Sequence, residues 1–302
     1  MSTKTINICV PVYNEEENLN NIYQDLQKAA LTLIDKYGIN LNIVFFDDGS
    51  IDNSRQKLKE FKDVELLYSS ENKGLGSAIK ELILHTKQSD AVGMFKIDGD
   101  GQMNLNDLEK FLDGEYYENY DVIYGNRFHS SSNYEMPLLR KLGSKFFKYI
   151  MKSFSINISD PTNGFVYLSR RYIDNSKIIG NYNAAQQILL DAKLRGLKIG
   201  EVDIELTPRD SGESFIGIKY PIIVISNLIA LYVYKKTVKV LIAPGIFLLL
   251  IGFLLLIYNI YLWIIGVKTQ IISDQVLILF IVFGAQLSIT GFVIEIFKNK
   301  SD

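Results

Sequence analysis

The chain has 302 residues, enough for one large domain and an additional segment, and its formal net charge is −2. Proteins that bind nucleic acids are typically strongly basic and this chain is not, so no nucleic acid is expected as a partner. The single cysteine, Cys9, excludes an internal disulfide and lies in an apolar stretch, where a buried small hydrophobic residue is expected.

Short apolar runs alternate with helix-like periodicity through the first two thirds of the chain. This alternation predicts an α/β fold with a mostly parallel, Rossmann-like sheet. The predicted strands are 6–12, 41–46, 64–68, 91–97, 121–124 and 199–206, and a hairpin-like piece is expected around 164–168. The predicted helices are 15–37, 55–61, 74–87, 105–112, 137–152 and 184–195.

Two long segments without charge, 240–267 and 275–294, predict two C-terminal transmembrane helices. At about 1.5 Å per residue, the second alone spans roughly 30 Å, the thickness of a bilayer core. The alternative is a pair of buried core helices. Lysines flank both segments and only Lys268 lies between them, so the positive-inside rule predicts that both termini are cytoplasmic.

The change in composition near Lys235 divides the chain into three expected parts. These are an α/β domain over 1–215, a juxtamembrane amphipathic segment over 216–236 and a two-helix membrane anchor over 237–298. The juxtamembrane segment suits either the bilayer surface or packing on the first domain, and its length does not separate the two. The membrane helices are where copies of the chain could form a homo-oligomer.

Carboxylates and glycines follow four of the predicted strands, where open α/β sheets bind ligands. The segments are PVYNE at 11–15, DDGS at 47–50, NKG at 72–74 and DGDGQ at 98–102. If the last is extended, Asp98, Asp100 and Gln102 point to one side, which suits Mg²⁺ or Mn²⁺. Taken singly, DDGS and DGDG are ordinary turn sequences. Together, carboxylates that converge on one sheet edge predict a cation and a diphosphate ligand.

The ordered set of these segments, followed by GNR at 125–127 and DPTNGF at 160–165, resembles the family 2 glycosyltransferases of GT-A fold. The resemblance covers about residues 5–215 and is strongest to the branch that makes polyprenyl-phosphate sugars, such as dolichyl-phosphate mannose synthase and bacterial undecaprenyl-phosphate glucosyltransferases. It implies a nucleotide sugar donor (a UDP-sugar first, a GDP-sugar second), Mg²⁺ or Mn²⁺, and an undecaprenyl-type polyprenyl phosphate acceptor at the cytoplasmic membrane, with inversion at the sugar carbon. The product would be a lipid-linked sugar for the cell envelope.

The resemblance also implies roles for single residues. Those that would hold the nucleotide sugar are Pro11, Tyr13, Glu15, Asp47, Asp48, Lys73, Asp98 and Gly99. Those that would hold the metal are Asp98, Asp100 and Gln102. Those that would hold the acceptor phosphate are Arg127, Arg140, Ser144 and Arg209. The implied catalytic residues are Asp100, Arg127 and Asp160.

Two of these assignments have ordinary alternatives, and a third concerns a segment that departs from the family pattern. Asp160 lies where the family proposes a catalytic base, but it could instead cap the turn at 161–163. Arg140 and Ser144 share one face of the basic helix, which could also be a solvated helix. Arg209 lies in a segment that departs from the family pattern, because Phe215 replaces the lysine that is usual there.

Other functions remain open at this point. The acceptor could be a polysaccharide or a glycerolipid, although the chain lacks the QxxRW segment typical of polymerising relatives and has Gln186-Gln-Ile-Leu in its place. A membrane-anchored, non-catalytic protein that binds nucleotide sugars is a further alternative, and the intact DxDxQ segment and Arg127 argue against it.

Overall fold

The computed structural model describes residues 4–129, 138–181, 184–206, 220–266 and 274–301. The chain divides into two compact units, Met1–Leu228 and Ile229–Asp302. The first unit contains the sheet, and the second contains two long apolar helices.

One seven-stranded sheet organises the first unit. Its strands are β1 Lys4–Val12, β2 Ile39–Asp47, β3 Glu65–Tyr68, β4 Gly93–Lys96, β5 Val122–Asn126, β6 Val166–Ser169 and β7 Ile199–Asp203. They lie in the order β3-β2-β1-β4-β6-β5-β7. Neighbouring strands pair in parallel except at β6, which is antiparallel to both β4 and β5. The prediction of a mostly parallel α/β sheet is confirmed.

Helices cover both faces of this sheet. They are α1 Leu19–Tyr37, α2 Ser54–Leu58, α3 Leu75–Gln88, α4 Leu108–Leu112, α5 Tyr116–Asn119, α6 Leu138–Ser153, α7 Arg170–Ile173 and α8 Ala185–Leu194. Successive side chains of β1 point to opposite faces of the sheet, so helices pack on both faces. Ile8 and Val10 join the same buried cluster as Leu26 of α1, whereas Asn7 points to the opposite face and donates to Thr86 Oγ1 of α3 at 3.1 Å.

The structure corrects the predictions for three elements. Helix α1 begins at Leu19 rather than at residue 15, because the preceding residues form a loop. The expected hairpin-like piece at 164–168 is instead β6, an internal strand of the sheet. The last strand ends at Asp203, and Leu206 forms only an isolated antiparallel bridge with Met103.

The second unit contains two helices that are long and apolar enough to cross a membrane. Helix α9, Tyr220–Lys235, continues from the first unit, and α10 Ala243–Ile264 and α11 Asp274–Ser301 follow. The candidate spans are Val238–Ile264, which includes a π-helical turn before α10, and Gln275–Lys298. Large apolar side chains are exposed along both, so a pair of buried core helices is disfavoured.

Small residues let α10 and α11 pack closely within this unit. A Cβ at Gly284 would lie 2.7 Å from Leu249 N, and a Cβ at Gly252 would lie 2.6 Å from Ile281 Cγ1. Contacts this short allow two helix backbones to approach each other, as small residues commonly do in membrane helix pairs.

Candidate active site

The carboxyl ends of β1, β2 and β4 meet at one edge of the sheet. Val12 is the register partner of Asp47, and Asp48 N donates to Val12 O at 2.8 Å. A Cβ at Gly99 would lie 2.9 Å from Pro11 O, so the segment after β4 packs directly against the end of β1. The structure therefore brings together the PVYNE, DDGS and DGDGQ segments.

The loops after β1 and β2 brace each other. Asn14 N donates to Ser50 Oγ at 3.0 Å, and Ile51 N donates to Asn14 Oδ1 at 2.9 Å. Glu15 N donates to Ser54 Oγ at 2.9 Å. Asn14 has a φ of 54°, which an asparagine tolerates better than most residues. This loop delays the start of α1 and leaves Tyr13 half-buried.

The two aspartates of the DDGS segment support these loops. Asp47 is fully buried, forms an ion pair with Arg55 and accepts a hydrogen bond from Ser50 N at 2.9 Å. Asp48 accepts hydrogen bonds from Lys73 N at 3.0 Å and Gly74 N at 2.8 Å, so it fixes the chain just before α3. Their roles toward a nucleoside stay predictions.

The segment after β4 is a turn, which corrects the expectation of an extended chain. Strand β4 ends at Lys96, the chain turns at Gly99–Gly101, and Gly101 has a φ of 71°. Gln102 N donates to Asp100 Oδ1 at 3.2 Å and closes the turn. The alternation of an extended strand therefore does not place the three oxygen-bearing side chains of this segment on one side.

The carboxylate of Asp98 lies between a cation and a glycine. Lys96 forms an ion pair with Asp98 Oδ1. A Cβ at Gly164 would lie 2.5 Å from Asp98 Cγ and 2.6 Å from Oδ1, so any side chain at 164 would displace this carboxylate. The Asp98 side chain keeps 35% of its surface exposed.

The donor chemistry of this turn fits a hard divalent cation. Asp98 and Asp100 offer carboxylate oxygens and Gln102 an amide oxygen, the ligand types that Mg²⁺ and Mn²⁺ prefer. Because Gly164 has no side chain, the Asp98 carboxylate can lie in the space that a Cβ would otherwise fill. Within the described ranges, no group of three or more His, Cys, Asp and Glu residues could hold a metal by itself. The site would thus need ligands from outside this set, such as a diphosphate.

A second polar cluster is built around Arg127 and Asp160. The Arg127 guanidinium binds Asp160 with two nitrogens, Nε to Oδ2 and Nη2 to Oδ1, the latter at 2.9 Å. The side chain of Asp160 is fully buried, and that of Arg127 is 14% exposed. Removing one partner of a buried, bidentate pair typically costs about 3–5 kcal/mol, because the other charge stays buried.

Hydroxyl groups complete this cluster. Thr162 Oγ1 donates to Asp160 Oδ1 at 3.0 Å, and Ser144 Oγ of α6 lies 3.4 Å from the same oxygen. Thr162 N also lies 3.4 Å from Asp160 Oδ1, so Asp160 caps the turn that follows it. The structure therefore brings Ser144, Asp160 and Arg127 together. The geometry gives Asp160 a supporting role and leaves a role as base untested.

Helix α6 presents different faces to the domain and to solvent. Ser144, Phe147 and Met151 are buried, whereas Tyr149 is 77% exposed. The exposed lysines of α6 are Lys141, Lys145, Lys148 and Lys152. The side chain of Arg140 and all of Arg209 lie outside the described residues, so the structure does not address their assignment to the acceptor phosphate.

Glu201 of β7 fixes the backbone of the loop at Asp160 by hydrogen bonds. Its Oε1 accepts hydrogen bonds from Ser159 N at 2.6 Å and Asp160 N at 3.0 Å. Burial raises the pKa of the Glu201 carboxyl and the nearby Asp160 charge raises it further, while the hydrogen bonds from the two backbone N–H groups lower it. The net shift is upward.

The loop at 160–165 joins the two clusters. Its beginning carries Asp160, which binds Arg127, and its end carries Gly164, against which Asp98 packs. In between, Asn163 Nδ2 donates to Gly125 O at 2.7 Å and Asn163 Oδ1 accepts from Phe165 N at 3.1 Å. One six-residue segment thus connects the turn after β4 to the end of β5.

Sequence reasoning missed three residues of this site. Lys96 stands alone as a charged residue in the apolar run 91–97, and this isolation is a signal that could have identified it. Thr162 lies inside a segment that was recognised, but its hydroxyl was given no role. Glu201 carries no sequence signal, because only the fold places β7 beneath the Asp160 loop.

Comparison with known proteins decides the family. The profile of the family described as "Glycosyl transferase family 2" matches residues 7–176, more than half of the chain. The chain belongs to glycosyl transferase family 2. It is therefore a glycosyltransferase, and the matched residues contain every motif described above except the segment around Arg209.

Individual relatives agree with this assignment. The chain is 25% identical over 228 residues to UDP-N-acetylglucosamine–dolichyl-phosphate N-acetylglucosaminyltransferase of Methanococcus voltae, covering 68% of this chain and 86% of that protein. It is 27% identical over 218 residues to dolichol-phosphate mannosyltransferase of Pyrococcus furiosus, covering 69% and 58% of the two chains. These names support the resemblance to the polyprenyl-phosphate branch.

Solved structures confirm the fold. Glucosyl-3-phosphoglycerate synthase from Mycobacterium tuberculosis, crystallised with Mn²⁺, UDP and glucosyl-3-phosphoglycerate, superposes with a TM-score of 0.56. The alignment covers 77% of this chain and 80% of that protein at 14% sequence identity. The similarity confirms the predicted GT-A fold.

Proposed function

We propose that this glycosyltransferase moves a sugar from a nucleotide sugar to a polyprenyl phosphate at the membrane surface. The observation that carries the proposal is the loop at 160–165, which links the Asp98 carboxylate to the Arg127–Asp160 pair. A donor diphosphate and an acceptor phosphate need adjacent sites, and this loop connects one candidate for each.

The relatives support both substrates. The Methanococcus voltae protein is named for UDP-N-acetylglucosamine and dolichyl phosphate, and the Pyrococcus furiosus protein for dolichol phosphate. We infer a UDP-sugar as the first donor to test, a GDP-sugar as the second, and undecaprenyl phosphate as the first acceptor.

The donor side would be formed by the braced loops after β1 and β2 and the turn after β4. Tyr13 and Glu15 are proposed to contact the nucleoside, while Asp47 and Asp48 keep these loops in place through Arg55 and the backbone before α3. Asp98, Asp100 and Gln102 would hold Mg²⁺ or Mn²⁺. When bound, the cation would supply Lewis-acid stabilisation of the charge that develops on the departing diphosphate.

The acceptor side needs positioning more than proton transfer. The second pKa of a phosphate monoester is about 6, so the attacking oxygen is already anionic at neutral pH. This oxygen would attack the anomeric carbon as the bond to the nucleotide oxygen breaks, with inversion. Arg127 would bind phosphate oxygens, and Asp160 would hold the guanidinium in a fixed orientation. Ser144 is proposed to contact the same phosphate.

The membrane assignment rests on the two candidate spans. We propose that both termini and the first unit are cytoplasmic and that the boundaries 1–215, 216–236 and 237–298 separate domain, juxtamembrane segment and anchor. The exposed Tyr149 and lysines of α6 have the chemistry of a surface that meets anionic headgroups.

The proposal is tested by transfer of label to lipid. Membranes that contain the full chain would be incubated with undecaprenyl phosphate and a panel of radiolabelled nucleotide sugars, and the labelled lipid would be identified. One nucleotide sugar should label a polyprenyl-phosphate lipid. Labelling of a glycerolipid or polysaccharide, with no labelled polyprenyl phosphate, would overturn the proposed acceptor.

The same assay tests the metal. Asp100→Ala should abolish transfer while the protein stays folded, because a carboxylate ligand is lost. Asp90→Ala removes an exposed carboxylate just before β4 and should leave transfer unchanged. Full turnover of the wild-type chain in excess chelator would reject a divalent cation.

A further inference from the structure

Lys96 is a buried charge at the end of an otherwise apolar strand. Its relative exposure is 4%, although the other residues of β4 are Gly93, Met94 and Phe95. A buried ammonium without a counter-charge is strongly unfavourable, so its partner determines what it can do. Within the described part of the chain, the ion pair that Lys96 forms is with Asp98.

This pair gives Asp98 two competing cations. The lysine ammonium contacts Oδ1, and Gly164 borders the carboxylate, while 35% of the side chain stays exposed. A divalent cation bound to Asp98 would lie close to a positive charge that burial prevents from moving into solvent. Like charges repel each other, and the repulsion is stronger at a partly buried site than in bulk water.

We propose that Lys96 is a resident cation of the metal site. It holds and neutralises Asp98 in the metal-free enzyme, and it weakens the affinity of the site for a divalent cation on its own. The cation is then held firmly only when a nucleotide diphosphate supplies further negative charge. This inference rests on the proposed role of Asp98 as a metal ligand, and it makes Lys96 a positioning residue.

The test measures Mn²⁺ binding directly. The full chain in lipid nanodiscs would be titrated with Mn²⁺, and free Mn²⁺ would be followed by electron paramagnetic resonance without nucleotide. Lys96→Met removes the charge and keeps an unbranched side chain, so Mn²⁺ should bind at least about tenfold more tightly than to the wild type. Lys96→Arg keeps the charge and should bind Mn²⁺ as the wild type does.

Thermal unfolding gives a second readout. Without metal, Lys96→Met leaves Asp98 uncompensated, so its Tm should fall below that of the wild type. Saturating Mn²⁺ should raise the Tm of Lys96→Met by more than that of the wild type, because the ion takes the place of the ammonium. A lysine that only fills space would not produce this difference.

The outcomes separate two failures. If Asp98→Asn binds Mn²⁺ as the wild type does, the metal assignment of the proposed function is wrong. If Asp98→Asn loses Mn²⁺ but Lys96→Met binds it equally or less tightly than the wild type, only the resident cation is rejected. A further comparison uses the wild type alone. It should bind Mn²⁺ at least about tenfold more tightly in the presence of UDP than in its absence. Equal affinities would also reject the proposal.

Discussion

Glu201 shows how one half-buried carboxylate can connect the fold to the site. It accepts hydrogen bonds from the backbone N–H groups of Ser159 and Asp160, and Asp160 in turn orients Arg127. Burial raises the pKa of Glu201, so the folded protein binds its proton more tightly than the unfolded chain does. The position of Asp160 therefore depends on Glu201 through these backbone hydrogen bonds.

This shift predicts a pH dependence of stability. In the unfolded chain Glu201 ionises near its ordinary pKa of 4.5, and in the folded protein it ionises at higher pH. The stabilisation from its bound proton is complete below 4.5 and is lost as pH rises through the raised pKa. Glu201→Gln should remove this loss. As the pH rises from 4.5 through the raised pKa, the Tm of the variant should therefore increase relative to that of the wild type.

Thermal unfolding in nanodiscs at a series of pH values measures this effect. Glu60→Gln changes an exposed carboxylate and is the matched control for the substitution itself. A difference in Tm between Glu201→Gln and the wild type that stays the same at every pH would show that the pKa of Glu201 is not raised.

At the scale of elements, the rule that ligands bind at the carboxyl ends of parallel strands predicted more of the site than the hydrophobic pattern of single segments did. The apolar runs identified β1, β2 and β4, and the rule that parallel strands end at one edge predicted that their polar residues would meet. The segment 98–102 is not extended, because the chain turns at Gly99 and Gly101 and Gly101 has a φ of 71°. Strand β6 was predicted only as a hairpin-like piece at 164–168, because its pairing with β4 and β5 is long-range and leaves no local pattern.

Gly164 is the residue where this long-range arrangement can be tested. Gly164→Ala would place a Cβ within 2.6 Å of Asp98 Oδ1, so the carboxylate or the loop must shift. We expect sugar transfer to fall by roughly a hundredfold, the cost of a displacement of about 1 Å in a catalytic group. The measurement is the initial rate of lipid labelling at saturating donor.

Gly143→Ala is the matched control. A Cβ at this position in α6 meets nothing within 4 Å, and alanine should stabilise the helix by about 0.5–1 kcal/mol. Its activity should stay near that of the wild type. Full activity of Gly164→Ala would mean that Asp98 need not occupy its observed position.

At the scale of the whole molecule, the change in composition near Lys235 predicted a two-helix membrane anchor. The structure divides the chain into two compact units, Met1–Leu228 and Ile229–Asp302, and the three predicted parts 1–215, 216–236 and 237–298 stay predictions. The orientation of these helices rests only on the lysine distribution, because a fold contains no information about which side of a membrane it faces. The topology therefore stays a prediction.

Cysteine labelling tests that topology with little background. Cys9 is fully buried and burial raises the pKa of its thiol to about 12, so the native cysteine should not react. In intact cells an impermeant maleimide should label Lys268→Cys and leave Lys300→Cys unlabelled. Labelling at position 300 but not at 268 would reverse the orientation.

The proposed acceptor, a polyprenyl phosphate, can be tested by a direct comparison of three lipids. The purified chain in nanodiscs would receive one nucleotide sugar and three acceptors in equal amounts: a polyprenyl phosphate, the same polyprenol without its phosphate, and a diacylglycerol. Sugar should pass only to the polyprenyl phosphate, because Arg127 and its neighbours are proposed to bind a phosphate group. Transfer to polyprenol or diacylglycerol at a comparable rate would show that the enzyme does not require a phosphate on its acceptor.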